Sequence, residues 1–302
     1  MQKQSHISIS IAAVILLSLT VCGSIWDLQI AKALYIGQSP SENIFGIIFS
    51  YIGIIPTFVG WSFLGASIFY LSKKQIENPR KRRWLMAFAV LLFVLSFFYF
   101  CNTIYLSNSN AFKVHFAVAY SIGITVICVA AYLGYKLSEK SDDSELLSKV
   151  LTLAAVSLLT LLIISATKEL MSRPRYRFVL AMDNFDYFRN WWQSGRAIKA
   201  SLGAKIVTDE FASFPSGHSA YSMFAIFIFP ILADYVSAFK KFKPLLFALG
   251  FVWWALTAFS RLSIGAHYLT DVTIAGMVTI LSYGIVSLVK RIYLKRKSMR
   301  FG

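Results

Sequence analysis

The sequence predicts an all-α, polytopic membrane protein: a helical bundle of about eight spans. Three observations predict it. Of 302 residues, 57% are hydrophobic and 16% are aromatic. Mean hydropathy is +0.62, a level soluble domains rarely reach. Several runs attain the roughly 20 apolar residues that a helix needs to cross a bilayer. These runs are continuous rather than alternating, which argues against a β-barrel.

Taken in order, Ile7–Gly23 is the first run, and no small-x-small cleavage site follows it, so it reads as a retained span. Trp26–Asn43 is a polar link with Trp26 and Tyr35 suited to an interface. Phe45–Leu71 is the second span. Ser72–Arg83 carries Lys73, Lys74, Arg80, Lys81, Arg82 and Arg83, a density that reads as cytoplasmic. Trp84–Leu106 and Phe116–Leu137 are the third and fourth spans. Ser138–Lys149 is a charged link, and Val150–Thr167 the fifth span. Lys168–Phe214 is the one long polar stretch. Ser219–Tyr235, Leu245–Phe259 and Val272–Val289 complete the eight, and a basic tail follows. With Ser72–Arg83 inside, alternation places both termini inside. It places Lys168–Phe214 and Ser260–Asp271 outside, on one face.

The formal net charge of +16 gathers in the links and the tail. It therefore points to membrane orientation and anionic lipid, not to nucleic acid. Cys22, Cys101 and Cys128 show no metal-binding or redox spacing and read as small buried hydrophobes.

Three stretches meet at the predicted outer face. Ser260–Asp271 packs Arg261, His267 and Asp271 into one link. A helix starting there would put His267 and Asp271 on one face, four residues apart. A carboxylate on one ring nitrogen would then leave the other free to attack. Arg261 offers a planar fork of donors to a phosphate. Phe214–His218 reads Phe-Pro-Ser-Gly-His. There Ser216 can cap a helix, Gly217 admits a close ligand, and His218 can donate a proton beside an anion. Lys168–Arg175 adds Lys168 and Arg175 as further cations. No metal-ligand spacing and no cofactor motif is present. His115 and His6 read as interfacial or flanking residues. Asp183, Asp186, Asp209 and Glu210 read as solvated loop charges, and Trp191 and Trp192 as anchors in the headgroup layer.

Together these stretches resemble the signature of the type-2 phosphatidic acid phosphatase superfamily, which includes lipid phosphate phosphatases and vanadium haloperoxidases. Its pattern is Lys-x6-Arg-Pro, then Pro-Ser-Gly-His, then Ser-Arg-x5-His-x3-Asp. The second and third are complete in this chain. In the first, Tyr176 stands where the family has proline, and Arg173-Pro174 makes Arg173 a rival for the role of Arg175. The resemblance implies a six-helix core over 84–289 with an outer loop at 168–214. Residues 1–83 would add two spans and a basic link, and 290–302 a cytoplasmic tail. It implies that His267 is the nucleophile, oriented by Asp271, and that His218 is the acid. Lys168, Arg175, Ser216, Gly217 and Arg261 would hold the phosphoryl oxygens, with neither metal nor cofactor. The expected activity is hydrolysis of a lipid phosphomonoester or diphosphate, such as undecaprenyl diphosphate, phosphatidylglycerophosphate or phosphatidic acid. A lipid phosphotransferase would use the same residues. A transporter is the rival class, but its ionisable groups belong near the bilayer midplane, where the last four runs have none.

Overall fold

A computed structural model describes residues 2–111, 116–203 and 208–301; His115 lies outside them. Among the described residues, regular structure is helical, with no strand. Within these residues twelve α-helices run in order: α1 Gln2–Leu34, α2 Ile44–Ile52, α3 Ile55–Gln75, α4 Pro79–Ala111, α5 Phe116–Lys140, α6 Leu146–Met171, α7 Tyr176–Ala181, α8 Arg196–Leu202, α9 Gly217–Met223, α10 Ala225–Tyr235, α11 Lys243–Ser263 and α12 Leu269–Phe301.

Among the described residues, seven stretches are long and apolar enough to cross a membrane: Ile7–Leu34, Ile44–Gln75, Pro79–Cys101, Tyr120–Lys140, Leu146–Ala181, Ser237–Ser263 and Leu269–Arg296. The remaining predicted span, Ser219–Tyr235, is divided between α9 and α10. At the junction the Phe224 N–H reaches back three residues, to the Tyr221 carbonyl at 3.2 Å. Neither helix, of 7 and 11 residues, is long enough to cross alone. The polar link predicted from Trp26 is helical as far as Leu34, after a break at Trp26. No proline or glycine stops the helix there, and its one carboxylate, Asp27, is buried.

The chain forms two compact units. One comprises Met1–Ile54, Thr160–Ala225 and Leu249–Thr279. Polar side chains knit its helices, as expected where burial from water cannot drive association. Thr20 donates to Thr273 at 2.8 Å, Trp254 Nε1 to Ser219 Oγ at 2.7 Å, and Thr279 to the Ala220 carbonyl at 3.0 Å. The other comprises Ile55–Leu159, Ile226–Ala248 and Ile280–Gly302. Its interior holds Trp61, whose Nε1 donates to Ser157 Oγ at 2.7 Å, beside the stacked rings of Phe58 and Tyr99. A Cβ on Gly134 would come within 2.2 Å of the Phe63 carbonyl, so only glycine permits α5 to lie this close to α3. The charged link ends in a cluster where Lys149 meets Asp143 at 2.5 Å and Lys243 meets Asp234 at 2.9 Å.

Large apolar side chains stand exposed along α1, α4, α5 and α12, among them Val14, Val94, Tyr132 and Leu281. Such faces suit lipid rather than water. Cys101 is buried, but Cys22 and Cys128 are exposed on these faces, contrary to the expectation that all three are core residues. The protein is a multi-pass membrane protein.

Candidate active site

The site is assembled within the first unit, from helix ends. Ser260–Ser263 are the last residues of α11. The helix stops in a Schellman turn: the Gly265 N–H bonds the Leu262 carbonyl at 2.9 Å, and the Ala266 N–H bonds the Arg261 carbonyl at 3.0 Å. Gly265 has φ +64°, and a Cβ there would stand 3.0 Å from the Tyr35 ring and 3.1 Å from Arg177 Cβ. The positive φ favours glycine, and a side chain would also press on both neighbours.

α12 begins at Leu269, so His267 precedes it and does not share a helical face with Asp271. The two meet because the chain turns. Asp271 Oδ2 accepts the Tyr268 N–H at 2.8 Å, one half of a capping box, and lies 3.7 Å from His267 Nδ1. The closer partner of Nδ1 is the Ser213 carbonyl, at 2.6 Å. A carbonyl only accepts, so Nδ1 carries the proton and Nε2 keeps its lone pair. The expectation that a carboxylate on one ring nitrogen sets the tautomer is thus corrected: a main-chain oxygen does so at closer range.

Asp271 is fully buried and well partnered. Ser213 Oγ donates to it at 2.5 Å and Arg173 Nη1 at 2.5 Å. Arg173 has no exposed surface and is committed on all sides. Its Nε donates to the Arg189 carbonyl at 2.7 Å, Nη1 also to Thr270 Oγ1 at 3.0 Å, and Nη2 to Asp27 at 2.8 Å. Its guanidinium lies over the Tyr268 ring, 4.1 Å from the centroid. Arg173 therefore has little left for a ligand.

Arg175 differs. Its Nη2 donates to Asp209 at 2.8 Å, and its Nε is buried without a partner among the described residues. Arg261 Nε is in the same state, with Nη1 on Ser50 Oγ at 2.6 Å. Lys168, in the last turn of α6, gives one bond, to the Ala212 carbonyl at 2.6 Å. Arg175 and Arg261 are buried and Lys168 half-buried, and buried cations with unspent donors are costly unless an anion completes them.

Ser216 caps α9, accepting the Ser219 N–H at 3.3 Å, and its own N–H bonds the Asp271 carbonyl at 3.0 Å. The Phe214–Pro215 peptide is cis. A Cβ on Gly217 would meet only Lys168 Cε at 3.8 Å and the Tyr221 ring at 3.6 Å and beyond. Both are ordinary contacts, so the fold itself tolerates a side chain at this position beside Lys168.

His218 Nε2 lies 3.0 Å from the Ser50 carbonyl, so this nitrogen holds the proton and a neutral ring leaves Nδ1 without one. Burial and then Arg261 push the His218 imidazolium well below its ordinary range. Burial likewise pushes His267 down to about 3; Asp271 pulls it up, but Arg175, Arg261 and Lys168 push it down again. The two histidines and three cations thus share one electrostatic neighbourhood. Burial acts to raise the Asp209 carboxyl, but Arg175 and Arg177 outweigh it and hold it low.

The structure brings together every residue the motifs indicated. It adds Asp27, Ser50, Arg177, Ser213 and Thr270. Asp209 and Glu210 are not merely solvated: Asp209 pairs with Arg175, and Glu210 takes Arg177 at 2.6 and 3.0 Å. Trp191 is tied to α1 through Ser24 at 2.9 Å, while Trp192 is exposed. Of the missed residues, Asp27 had one signal: it is the only acidic residue among the first 41.

Over residues 149–297 the chain matches the family model of the PAP2 superfamily, and through that region it belongs to this superfamily of type-2 phosphatidic acid phosphatases and their relatives. It is a membrane-embedded member of a hydrolase superfamily acting on lipid phosphate groups. Neither a curated protein nor a solved structure matches the chain. Among the described residues, no group of three or more His, Cys, Asp or Glu is placed to hold a metal ion.

Proposed function

We propose that this protein is an integral-membrane phosphatase that cleaves a lipid phosphomonoester or diphosphate through a phosphohistidine on His267. One observation carries the reading. The Nδ1 proton of His267 is held by the Ser213 carbonyl at 2.6 Å, beside three cations that retain unspent donors. Nε2 of His267 attacks the terminal phosphorus, and the N–P bond forms as the P–O bond to the leaving lipid alcohol, or lipid phosphate in a diphosphate, breaks. His218, which takes up a second proton on Nδ1 when the phosphate anion binds, gives that proton to the departing oxygen. Water then attacks the phosphohistidine, losing a proton to His218, and phosphate leaves. Lys168, Arg175 and Arg261, with Ser216 and Gly217, hold the phosphoryl oxygens, where spread charge needs clamping. Asp271 stabilises the positive charge His267 gains on attack. No metal or cofactor enters the scheme.

Undecaprenyl diphosphate, phosphatidylglycerophosphate and phosphatidic acid are the candidate substrates. Phosphate release by the purified protein from a panel of these lipids tests the reading. Release from at least one is expected; inertness toward all of them overturns it. A parallel assay with an acceptor lipid separates hydrolysis from phosphoryl transfer.

In this reading the site faces the extracytoplasmic side and both termini lie in the cytoplasm. The basic link Ser72–Arg83 supports this orientation. A cysteine at 192 should react with an impermeant reagent outside intact cells, and one at 81 should not. The opposite pattern moves the chemistry to the cytoplasm.

A further inference from the structure

The family match begins at residue 149, so α1 lies outside it, yet α1 supplies a carboxylate to the interior of the site. Asp27 is 3% exposed. Its Oδ1 accepts the Thr270 N–H at 3.0 Å. Its Oδ2 accepts Arg173 Nη2 at 2.8 Å and also the Thr270 hydroxyl. Arg173 in turn holds Asp271 at 2.5 Å. One buried guanidinium is thereby shared between two carboxylates, the second of which stands beside His267.

α1 has little freedom to shift from this position. Thr20 bonds Thr273, Trp191 bonds Ser24, and the Ile36 N–H bonds the Ser263 carbonyl at 2.8 Å. A Cβ on Gly23 would press to 2.9 Å from Thr270 Cγ2. The break at Trp26 falls one residue before Asp27.

We propose that Asp27 is a positioning residue for the reaction at His267, which makes α1 part of the catalytic unit. Buried ion networks add little net stability compared with apolar packing of equal volume, so the arrangement calls for another explanation. Asp27 draws off part of the Arg173 charge, and Asp271 keeps enough of its own to stabilise a positively charged His267. It also anchors the first turn of α12, from which Asp271 projects. Without Asp27, Arg173 would give its whole charge to Asp271, and Thr270 would lose its acceptor. This inference rests on the phosphohistidine reading.

The test uses the full chain in detergent with the lipid phosphate it turns over. Asp27→Asn is expected to lower kcat about 10²-fold, as small misplacements of reacting groups do. KM, tungstate affinity and the number of tungstate sites should stay unchanged, because the anion cations are untouched. In quench experiments phosphoenzyme formation should slow by the same factor. Asp27→Asn and Arg173→Gln should not be additive, since both break one relay. Wild-type kcat in Asp27→Asn, fully additive losses, or a decline explained by fewer tungstate sites would each overturn the proposal. If the single variant does not fold, Asp27→Asn/Arg173→Gln removes the pair together. That double variant must then show the kcat loss at unchanged KM, and wild-type kcat in it overturns the proposal. His267→Ala, run alongside, separates the two readings. Turnover there sinks the phosphohistidine mechanism, whereas a dead His267→Ala beside a fully active Asp27→Asn sinks only the role of α1.

Discussion

Nδ1 of His267 is 2.6 Å from the Ser213 carbonyl and 3.7 Å from the Asp271 carboxylate. The main chain therefore fixes the tautomer, and the carboxylate contributes charge. Where a carboxylate alone sets the tautomer, replacing it by an amide costs about 10⁴-fold. Here Asp271→Asn should cost less, about 10²-fold in kcat, as for loss of one electrostatic stabiliser. His267→Ala should abolish turnover and the acid-labile phosphoenzyme. Equal, complete loss in both variants would show that the Ser213 carbonyl does not suffice.

The two neighbouring arginines should separate cleanly. Arg175→Ala removes a cation with an unspent donor. It should raise the inhibition constant for tungstate about tenfold to a hundredfold, the worth of a hydrogen bond to a charged group. Arg173→Ala strands Asp27 and Asp271 in the interior, a loss of about 3–5 kcal/mol. Thermal unfolding and tungstate inhibition measured on both variants check this. A folded, stable Arg173→Ala with weakened tungstate binding would reverse the assignment.

Asp209 meets Arg175 at 2.8 Å, yet its side chain is 61% exposed. It occupies a donor that a phosphate would otherwise take. Exposed pairs are worth about 0.2–1 kcal/mol, so Asp209→Asn should tighten tungstate binding by no more than about fivefold. Weaker binding would mean that Asp209 helps to hold the anion cations in place.

Burial holds both imidazoles below their ordinary range. His267 lies at about 3, against an ordinary 6.5, and His218 is also well below 6.5. A depressed folded-state pKa contributes stability that is complete above about 6.5 and is lost as pH falls toward 3. Thermal midpoints without ligand should accordingly drop below pH 6.5. An anion reverses the electrostatics and lets His218 take up the proton it needs as an acid. Tungstate, dianionic over the working range, should bind more weakly as pH rises from 6 to 9. The limit is about tenfold per pH unit for one coupled proton. His218→Gln should flatten that slope; a pH-independent parent would remove His218 from the proton traffic.

The leaving group separates His218 from His267. A lipid alkoxide needs a proton to depart; nitrophenolate does not. General acid catalysis is worth about 10²–10⁴-fold. His218→Ala should lose that much with an alkyl phosphate, and much less with nitrophenyl phosphate, where a burst should appear. His267→Ala should fail on both. Equal impairment of His218→Ala on both substrates, with no burst, would leave it a binding role only.

What could be read in advance was whatever repeats a local rule. Apolar runs of span length gave the helices, and Lys168, His218, Arg261, His267 and Asp271 stood out as polar groups clustered at their ends. Asp27 and Ser50 were hard to single out, because the arginines that tie them to the site, Arg173 and Arg261, lie more than 140 positions away in the chain. The hold of Ser213 on His267 runs through a carbonyl that every residue carries, so no side-chain pattern could announce it. The rivalry between Arg173 and Arg175 needed the burial of Asp27 to separate them. The start of α12 at Leu269 was missed because Tyr268 serves as its cap through a backbone N–H.

Segment 213–216 and segment 267–271 are sewn together by three bonds: Ser213 carbonyl to His267, Ser213 hydroxyl to Asp271, and Ser216 N–H to the Asp271 carbonyl. Two of the three involve main-chain atoms that substitution does not alter. For enzyme engineering this divides the molecule. A search for altered lipid preference can range over helix faces away from these segments, whereas libraries at 213–216 or 267–271 should return mostly inactive clones.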